Sequence, residues 1–162
     1  MAYGRLHGRT TTDLDDLDHA IIRLLQKDAR MSSREMAKRI GEVSDRVVRY
    51  RIKRLIERKV IFLQAIVNPD AVGYPVVADI LIEVMPAKLA ETCAKLAAMP
   101  PVAYVSAAYA GRHVSIEVNA RNERELMTFL RSTLPQLDGI VNVRTMVVPH
   151  LIKDVALWEI PR

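Results

Sequence analysis

The feature that most constrains this chain is a pair of short helices, predicted between Ser32 and Ile61, of which the second is crowded with cations. From residue 46 to residue 59 there are seven basic side chains and a single acid, Glu57. The seven are Arg46, Arg49, Arg51, Lys53, Arg54, Arg58 and Lys59. Cations at this density repel one another unless an anionic partner neutralises them, and nucleic-acid phosphates are the partner that the pattern favours.

The basic excess is confined to the N-terminal part of the chain. Residues 1–61 contain 15 Lys and Arg against 9 Asp and Glu, whereas residues 62–162 contain 9 against 10. This asymmetry indicates a polyanion-binding part joined to a near-neutral part. We predict four segments: a flexible extension (1–12), a helix-turn-helix DNA-binding domain (13–60), a hinge strand with a linker (61–73), and a near-neutral domain (74–162).

Local signals define the predicted helix-turn-helix. Apolar residues at three- and four-residue steps predict a first helix over residues 16–29. Ser32 stands three residues before Glu35, the capping-box spacing, and Gly41 ends the second helix because glycine readily adopts a positive φ. Ser44 is the predicted N-cap of the third helix. Two capped helices joined by a tight turn form the motif that places its second helix in a DNA groove.

The third helix has two chemically different sides. We expect its apolar side, made of Val48, Ile52, Leu55 and Ile56, to pack inward. Outward residues in the first two turns of a recognition helix reach base edges, and later ones reach phosphates. We predict base contacts for Arg46, Arg49 and Tyr50. We predict the remaining DNA contacts for Ser44, Lys53, Arg54 and Arg58. The alternative is an ordinary solvated helix face, which the capped preceding helix and the local charge excess disfavour.

Beyond residue 59 the pattern changes to apolar, β-branched runs alternating with helical stretches. The order β-α-β-β-α-β predicts a ferredoxin-like domain, with an antiparallel sheet and both helices on one face, so the whole chain is α+β. A second copy of the chain is the simplest cover for the other face. Predicted strands are 76–84, 102–109, 113–119 and 140–148, predicted helices are 87–98 and 123–134, and 60–67 is predicted as a linking strand.

Other chemistry has little support in the sequence. Cys93 is the only cysteine, and neither thiols nor His residues stand near it at zinc-ligand spacing. The four His residues have no Ser, Cys or carboxylate beside them at catalytic spacing, and no Gly-rich phosphate loop is present. No stretch is typical of a signal peptide or a membrane span. We expect a cytoplasmic, nucleoid-associated protein that is not an enzyme and has no cofactor or metal.

Together these residues resemble the Lrp/AsnC, or feast/famine, family of transcription regulators. Residues 14–18 (Leu-Asp-Asp-Leu-Asp) are similar to the family's opening helix, residues 44–55 to its recognition helix, and Asn68-Pro69 to its interdomain turn. The resemblance implies a winged-type helix-turn-helix joined to a ferredoxin-like domain for ligand sensing and oligomerisation (74–162). It also implies homodimers formed through sheets and hinge strands, homo-octamers built from four dimers, and amino-acid effectors bound between sensor domains.

Two positions depart from the family pattern. Lys59 stands where the family often has Gly, which predicts a less sharp end to the recognition helix and one more cation facing DNA. The sensor hairpin commonly reads Gly-x-Tyr-Asp but here reads Gly111-Arg112-His113-Val114, and Val114 offers no acceptor for an effector's ammonium group. Arg112 favours a carboxylate or phosphate, and His113 can respond to pH, although such a pair is also typical of a solvated turn. The predicted effector-binding residues are Tyr109, Gly111, Arg112, His113 and Val114.

Two alternative functions share this architecture. One is a sirohaem-decarboxylase-like enzyme in which His113 or His150 faces a haem. Such an enzyme has no need of a dense basic recognition face. The other is a nucleoid-architectural protein that wraps DNA with little sequence preference.

Overall fold

The structure is a computed structural model that describes residues 13–108 and 111–148. The described residues form two compact units that divide between Ala65 and Ile66. Each unit buries its own cluster of apolar side chains, as expected of domains that fold around separate cores.

The first unit is built from three helices: α1 (Asp16–Lys27), α2 (Ser33–Ile40) and α3 (Asp45–Glu57). Each helix is amphipathic, and the apolar sides meet around fully buried Ile21, Val48 and Leu55. The predicted helix-turn-helix is therefore confirmed. Ile56 is a correction, because 42% of its surface is exposed where an inward position was expected.

The linking strand predicted over residues 60–67 is wrong for the single chain. Between residues 58 and 75 the structure has no strand, and the described part of the first unit contains none either, so the expected wing is not formed. The physical reason is that a strand needs a neighbouring backbone to accept and donate its hydrogen bonds. Ile66 and Val67 in this segment are 67% and 59% exposed, which is unusual for two consecutive apolar residues.

The second unit is the predicted ferredoxin-like domain. Its elements follow the order β1 (Val76–Val84), α4 (Leu89–Ala97), β2 (Val102–Ala107), β3 (His113–Ala120), α5 (Glu123–Thr128) and β4 (Ile140–Val147). A π-helical turn and a 3₁₀ turn continue α5 as far as Gln136. The sheet is antiparallel with strand order β2-β3-β1-β4. The predicted β-α-β-β-α-β fold is confirmed.

The two faces of the sheet differ in chemistry because side chains alternate along each strand. One face packs under the helices and is apolar, with Ile80 and Ile116 paired across β1 and β3 and both fully buried. The opposite face carries Asp79, Glu83 and His113, which occupy the intervening positions. This face, which we call the open face, stays partly solvated in the single chain. None of the helices in the described ranges combines the length and the apolar character needed to cross a membrane.

Candidate nucleic-acid interface

Two capped helix starts and a glycine fix the turn that precedes α3. The hydroxyl of Ser32 accepts from the backbone N–H of Glu35 at 3.1 Å, and that of Ser44 accepts from Val47 N–H at 3.3 Å. Between the two helices Gly41 has a φ of +76°, the positive value for which glycine has no steric penalty. Both predicted caps and the predicted role of Gly41 are confirmed. The turn therefore sets the start of α3 from local hydrogen bonds.

The outward side of α3 is exposed and mostly cationic, as the sequence predicts. Tyr50 is 63% exposed, and the side chains of Arg49 and Lys53 are 71% and 75% exposed. Arg46 is exposed too, and it forms no ion pair within the part of the chain that the structure describes. Arg58 follows at the C-cap of α3 and is likewise exposed. These five side chains share solvent access and can meet a polyanion together.

Two of the cations on this side have acidic partners on α3 itself. Arg49 Nη2 donates to Asp45 Oδ2 at 2.8 Å, and Lys53 Nζ lies 3.7 Å from Glu57 Oε1. Both pairs are exposed and four residues apart, so each contributes only a few tenths of a kcal/mol. Pairs this weak leave Arg49 and Lys53 able to contact DNA phosphates or base edges.

The remaining two arginines of α3, Arg51 and Arg54, donate hydrogen bonds to a buried carboxylate. Asp18 on α1 is fully buried, and it accepts from Arg51 Nη1 at 3.1 Å and from Arg54 Nη2 at 2.8 Å. Arg51 Nη1 also donates to Asp15 at 2.6 Å. These contacts join α1 to α3 through what we call the Asp18 cluster: Asp15, Asp18, Arg51 and Arg54.

The Asp18 cluster gives Arg54 a structural role, while its phosphate contact stays a prediction. One nitrogen of its guanidinium, Nη2, donates to Asp18, and another, Nε, is buried without a partner in the described chain. Arg54 is therefore a structural residue that holds α3 against α1. No local sequence pattern identifies Asp18 as the partner of these arginines, because they lie 33 and 36 positions away.

The cluster also shifts the pKa values of its more accessible members. The pKa of Asp15 lies below its ordinary value because the Asp18 backbone N–H and then the Arg51 guanidinium donate to its carboxylate. The pKa of Arg51 is raised because the carboxylate of Asp15, and then that of Asp18, accepts from its guanidinium. A depressed Asp pKa means that the stabilisation is present above the ordinary value and is lost as the pH falls through the lower one.

The end of α3 is sharp, contrary to the expectation drawn from Lys59. Lys59 has a φ of +57°, the left-handed conformation that usually belongs to Gly at this position. The N–H of Val60 donates to the Leu55 carbonyl at 2.9 Å, and the N–H of Lys59 donates to the Ile56 carbonyl at 2.9 Å. These are the two hydrogen bonds of a Schellman motif. The helix therefore stops as it would with Gly, and Lys59 tolerates the strained backbone.

The predicted effector-binding residues divide into three groups. Tyr109 lies outside the described residues. Val114 is fully buried in the core of the second unit, so its assignment to an effector site is wrong: in an alternating strand its side chain points under the helices. Gly111, Arg112 and His113 lie at the hairpin end of the open face, where Arg112 Nη2 forms an ion pair with Glu83 at 3.0 Å.

A shallow cavity of about 90 Å³ lies on the open face beside this hairpin. It combines an acid, Glu83, with two groups able to carry positive charge, His113 and Arg144. Its lining is Leu81, Glu83, His113, Asn142 and Arg144. In the described ranges, this cavity included, His, Cys, Asp and Glu side chains form no group of three suited to a metal ion.

The first unit matches a known family of DNA-binding domains. Residues 14–56 match the AsnC-type helix-turn-helix domain. An HTH-type transcriptional regulator of Pyrococcus abyssi, itself uncharacterised, is 36% identical over 141 residues, which cover 86% of this chain and 89% of the relative. The chain belongs to the Lrp/AsnC family of transcriptional regulators.

A further relative agrees in function class, and a solved structure agrees in fold. The HTH-type transcriptional regulator FL11 of Pyrococcus furiosus is 35% identical, over 87% of this chain and 93% of its own length. A transcriptional regulator from Neisseria meningitidis, solved as a complex with L-Met, has a TM-score of 0.80 at 22% identity, covering 91% of this chain and 96% of that one. This protein is accordingly a DNA-binding transcriptional regulator. The relatives give no support to the decarboxylase-like or nucleoid-architectural alternatives.

Replacing Asp18 with Asn should destabilise the first unit by about 3 kcal/mol. The amide keeps one acceptor oxygen but replaces the other with a donor, so one of the two arginines loses its buried partner and the negative charge between them is gone. Chemical denaturation followed by circular dichroism measures the change. Asp15→Asn is the matched control, because Asn still caps α1 and the exposed pair that it loses contributes under about 1 kcal/mol. An equal decrease in the free energy of unfolding for the two variants would contradict the assigned role of Asp18.

Replacing Lys59 with Gly should stabilise the protein by about 1 kcal/mol, because Gly adopts the left-handed conformation without the penalty of a side chain. Thermal unfolding checks the sign. Lys59→Ala removes the same charge but keeps a Cβ, so it should leave the melting temperature nearly unchanged. A Lys59→Gly variant no more stable than Lys59→Ala would show that position 59 carries no backbone strain.

Proposed function

We propose that α3 enters the major groove of duplex DNA, with Arg46, Arg49 and Tyr50 against base edges. The observation that carries this proposal is the solvated cationic side of α3 beside a capped turn, in a helix whose other side is anchored in the core. An arginine can donate two hydrogen bonds to guanine, whereas Tyr50 offers a hydroxyl and an aromatic face. Ser44, Lys53 and Arg58 are proposed to contact phosphates, which position the helix without reading sequence.

Arg49→Ala should reduce the preference for a selected site over random duplex by about 1–3 kcal/mol, the discrimination that one bidentate base contact supplies. Fluorescence anisotropy with duplexes selected from a random pool measures both affinities. Arg58→Ala is the comparison, because loss of a phosphate contact should weaken binding to all duplexes by the same factor. It should also reduce the slope of log affinity against log salt concentration by about one unit. If Arg49→Ala weakened selected and random duplexes by one common factor, the base-reading assignment would fail.

We propose further that an amino acid or a related metabolite binds at the cavity on the open face. Glu83 replaces the carboxylate that Val114 cannot supply, and Arg144 lies in the same cavity to attract a carboxylate. Groups of both signs complement a zwitterion. The Neisseria meningitidis regulator, solved with L-Met, supports an amino-acid effector. Because about 90 Å³ is below the usual volume of a ligand pocket, a second chain is proposed to complete the site.

Glu83→Gln should abolish binding of the responsive amino acid while leaving the fold intact, because the amide cannot compensate an ammonium charge. Isothermal titration with a panel of L-amino acids measures binding to the full chain. Asp79→Asn is the matched control, since Asp79 lies on the same face of β1 but not in the cavity. A Glu83→Gln variant that still binds the amino acid with wild-type affinity would remove Glu83 from the site.

We also propose homodimers that assemble into a homo-octamer. Two exposed apolar regions support this: the segment containing Ile66 and Val67, and one face of the edge strand β4, where Val143 and Val147 are 36% and 56% exposed. One region can pair within a dimer and the other can join dimers, since contiguous apolar surface favours association.

Two further proposals concern location and cofactors. Because it binds DNA, the protein is proposed to act at the nucleoid. It is also proposed to need no resident cofactor.

Light scattering at increasing protein concentration should give a mass near eight times the 18.3 kDa chain. Ile66→Asp places a charge in the first apolar region and should shift the mass to smaller species. Lys27→Asp, on exposed α1 surface, provides a control for added acidity. A monomeric mass for the unmodified protein at all concentrations would contradict the assembly.

A further inference from the structure

Asp45 is an acidic residue on the side of α3 that is proposed to face DNA. It is the first residue of the helix, its side chain is 49% exposed, and it lies four positions before Arg49. A carboxylate near DNA phosphates is repelled and therefore lowers affinity for any duplex. Ser44 already caps the helix, so capping does not require this charge.

The contact between Asp45 and Arg49 restrains the guanidinium. Asp45 Oδ2 accepts from Arg49 Nη2 at 2.8 Å, and an acid four residues before a base is the favourable order on a helix. The contact uses one nitrogen of the planar fork, and the other N–H groups stay available for a second acceptor. A restrained arginine loses less conformational entropy when it meets guanine than a freely rotating one.

We propose that Asp45 is a positioning residue that gives α3 sequence specificity by orienting Arg49 toward guanine. This inference rests on the proposed base contact of Arg49. At a matching site, the oriented guanidinium forms its base contacts and offsets the repulsion between Asp45 and the phosphates. At a non-matching site the repulsion has no compensation. Asp45 therefore lowers affinity for random DNA more than affinity for the selected site.

The chain supplies a matched pair for comparison. Lys53 and Glu57 have the same spacing on the same helix, and Nζ and Oε1 are 3.7 Å apart. An ammonium group has no planar fork to orient, and this pair lies two turns farther along, where phosphate contact is proposed. Glu57→Gln therefore removes one negative charge from α3 without disturbing a base-reading group.

The test uses the full chain, a duplex selected from a random pool, and the unselected pool. Affinities are measured by fluorescence anisotropy at several salt concentrations for Asp45→Asn, Glu57→Gln, Arg49→Ala and the Asp45→Asn/Arg49→Ala double variant. Asp45→Asn should bind the random pool more tightly, and its selected-to-random ratio should fall about threefold, as expected when one interface side chain is no longer restrained. Glu57→Gln should raise both affinities and leave the ratio unchanged.

The double variant separates positioning from a simple charge effect. If Asp45 acts through Arg49, adding Asp45→Asn to Arg49→Ala changes the ratio no further. Asp45→Glu, which keeps the charge and the four-residue spacing, should recover most of the wild-type ratio. Circular dichroism and thermal unfolding of each variant verify that α3 is still folded.

Two results overturn the inference alone, and a third overturns the proposed base contact together with it. One is an unchanged ratio in Asp45→Asn when Arg49→Ala lowers it, which leaves the proposed base contact standing. The other is an equal drop in the ratio with and without Arg49, which shows that Asp45 acts independently. If Arg49→Ala itself leaves the ratio unchanged, the base contact fails, and the inference that depends on it fails as well.

Discussion

The carboxylate of Asp18 has no exposed surface, and two guanidinium groups of α3 donate to it. A buried charge is stable only when such donors compensate its lost hydration, so Arg51 and Arg54 must stay beside α1. This requirement fixes how α3 lies against α1. The outward side of α3, and with it the direction in which Arg49 and Tyr50 point, follows from the same contact.

The Asp18 cluster also divides the cations of α3 by function. Seven basic residues between positions 46 and 59 read as one patch, yet Arg51 and Arg54 hold the helix in place. The exposed remainder is available to DNA, and within it Arg49 and Lys53 have weak acidic partners on α3. A protein that uses its charges in this way binds DNA with a smaller electrostatic contribution than its composition suggests.

The sequence was enough to predict a feature where the interaction that forms it joins residues close together in the chain. The caps at Ser32 and Ser44 and the alternation of β1 could be predicted because each depends on near neighbours in sequence. The Asp18 cluster joins residues 33 and 36 positions apart, and no periodicity identifies such a pair. The segment 60–67 was predicted as a strand from its apolar composition, but composition does not supply the second backbone that a strand requires. Val114 was assigned to the effector site from its position in a motif. The alternation of side chains along β3 instead places it in the buried core.

The central claim is that the outward side of α3 lies in a DNA groove while its other side stays on α1. Placing a photo-crosslinking benzoylphenylalanine at Tyr50, and separately at Lys27 on exposed α1 surface, tests it directly. Both proteins are irradiated with a selected duplex, and the adducts are mapped on the DNA. The account predicts efficient crosslinking to bases from position 50 and little from position 27. Equal yields from the two positions, or crosslinking from position 27 alone, would contradict it.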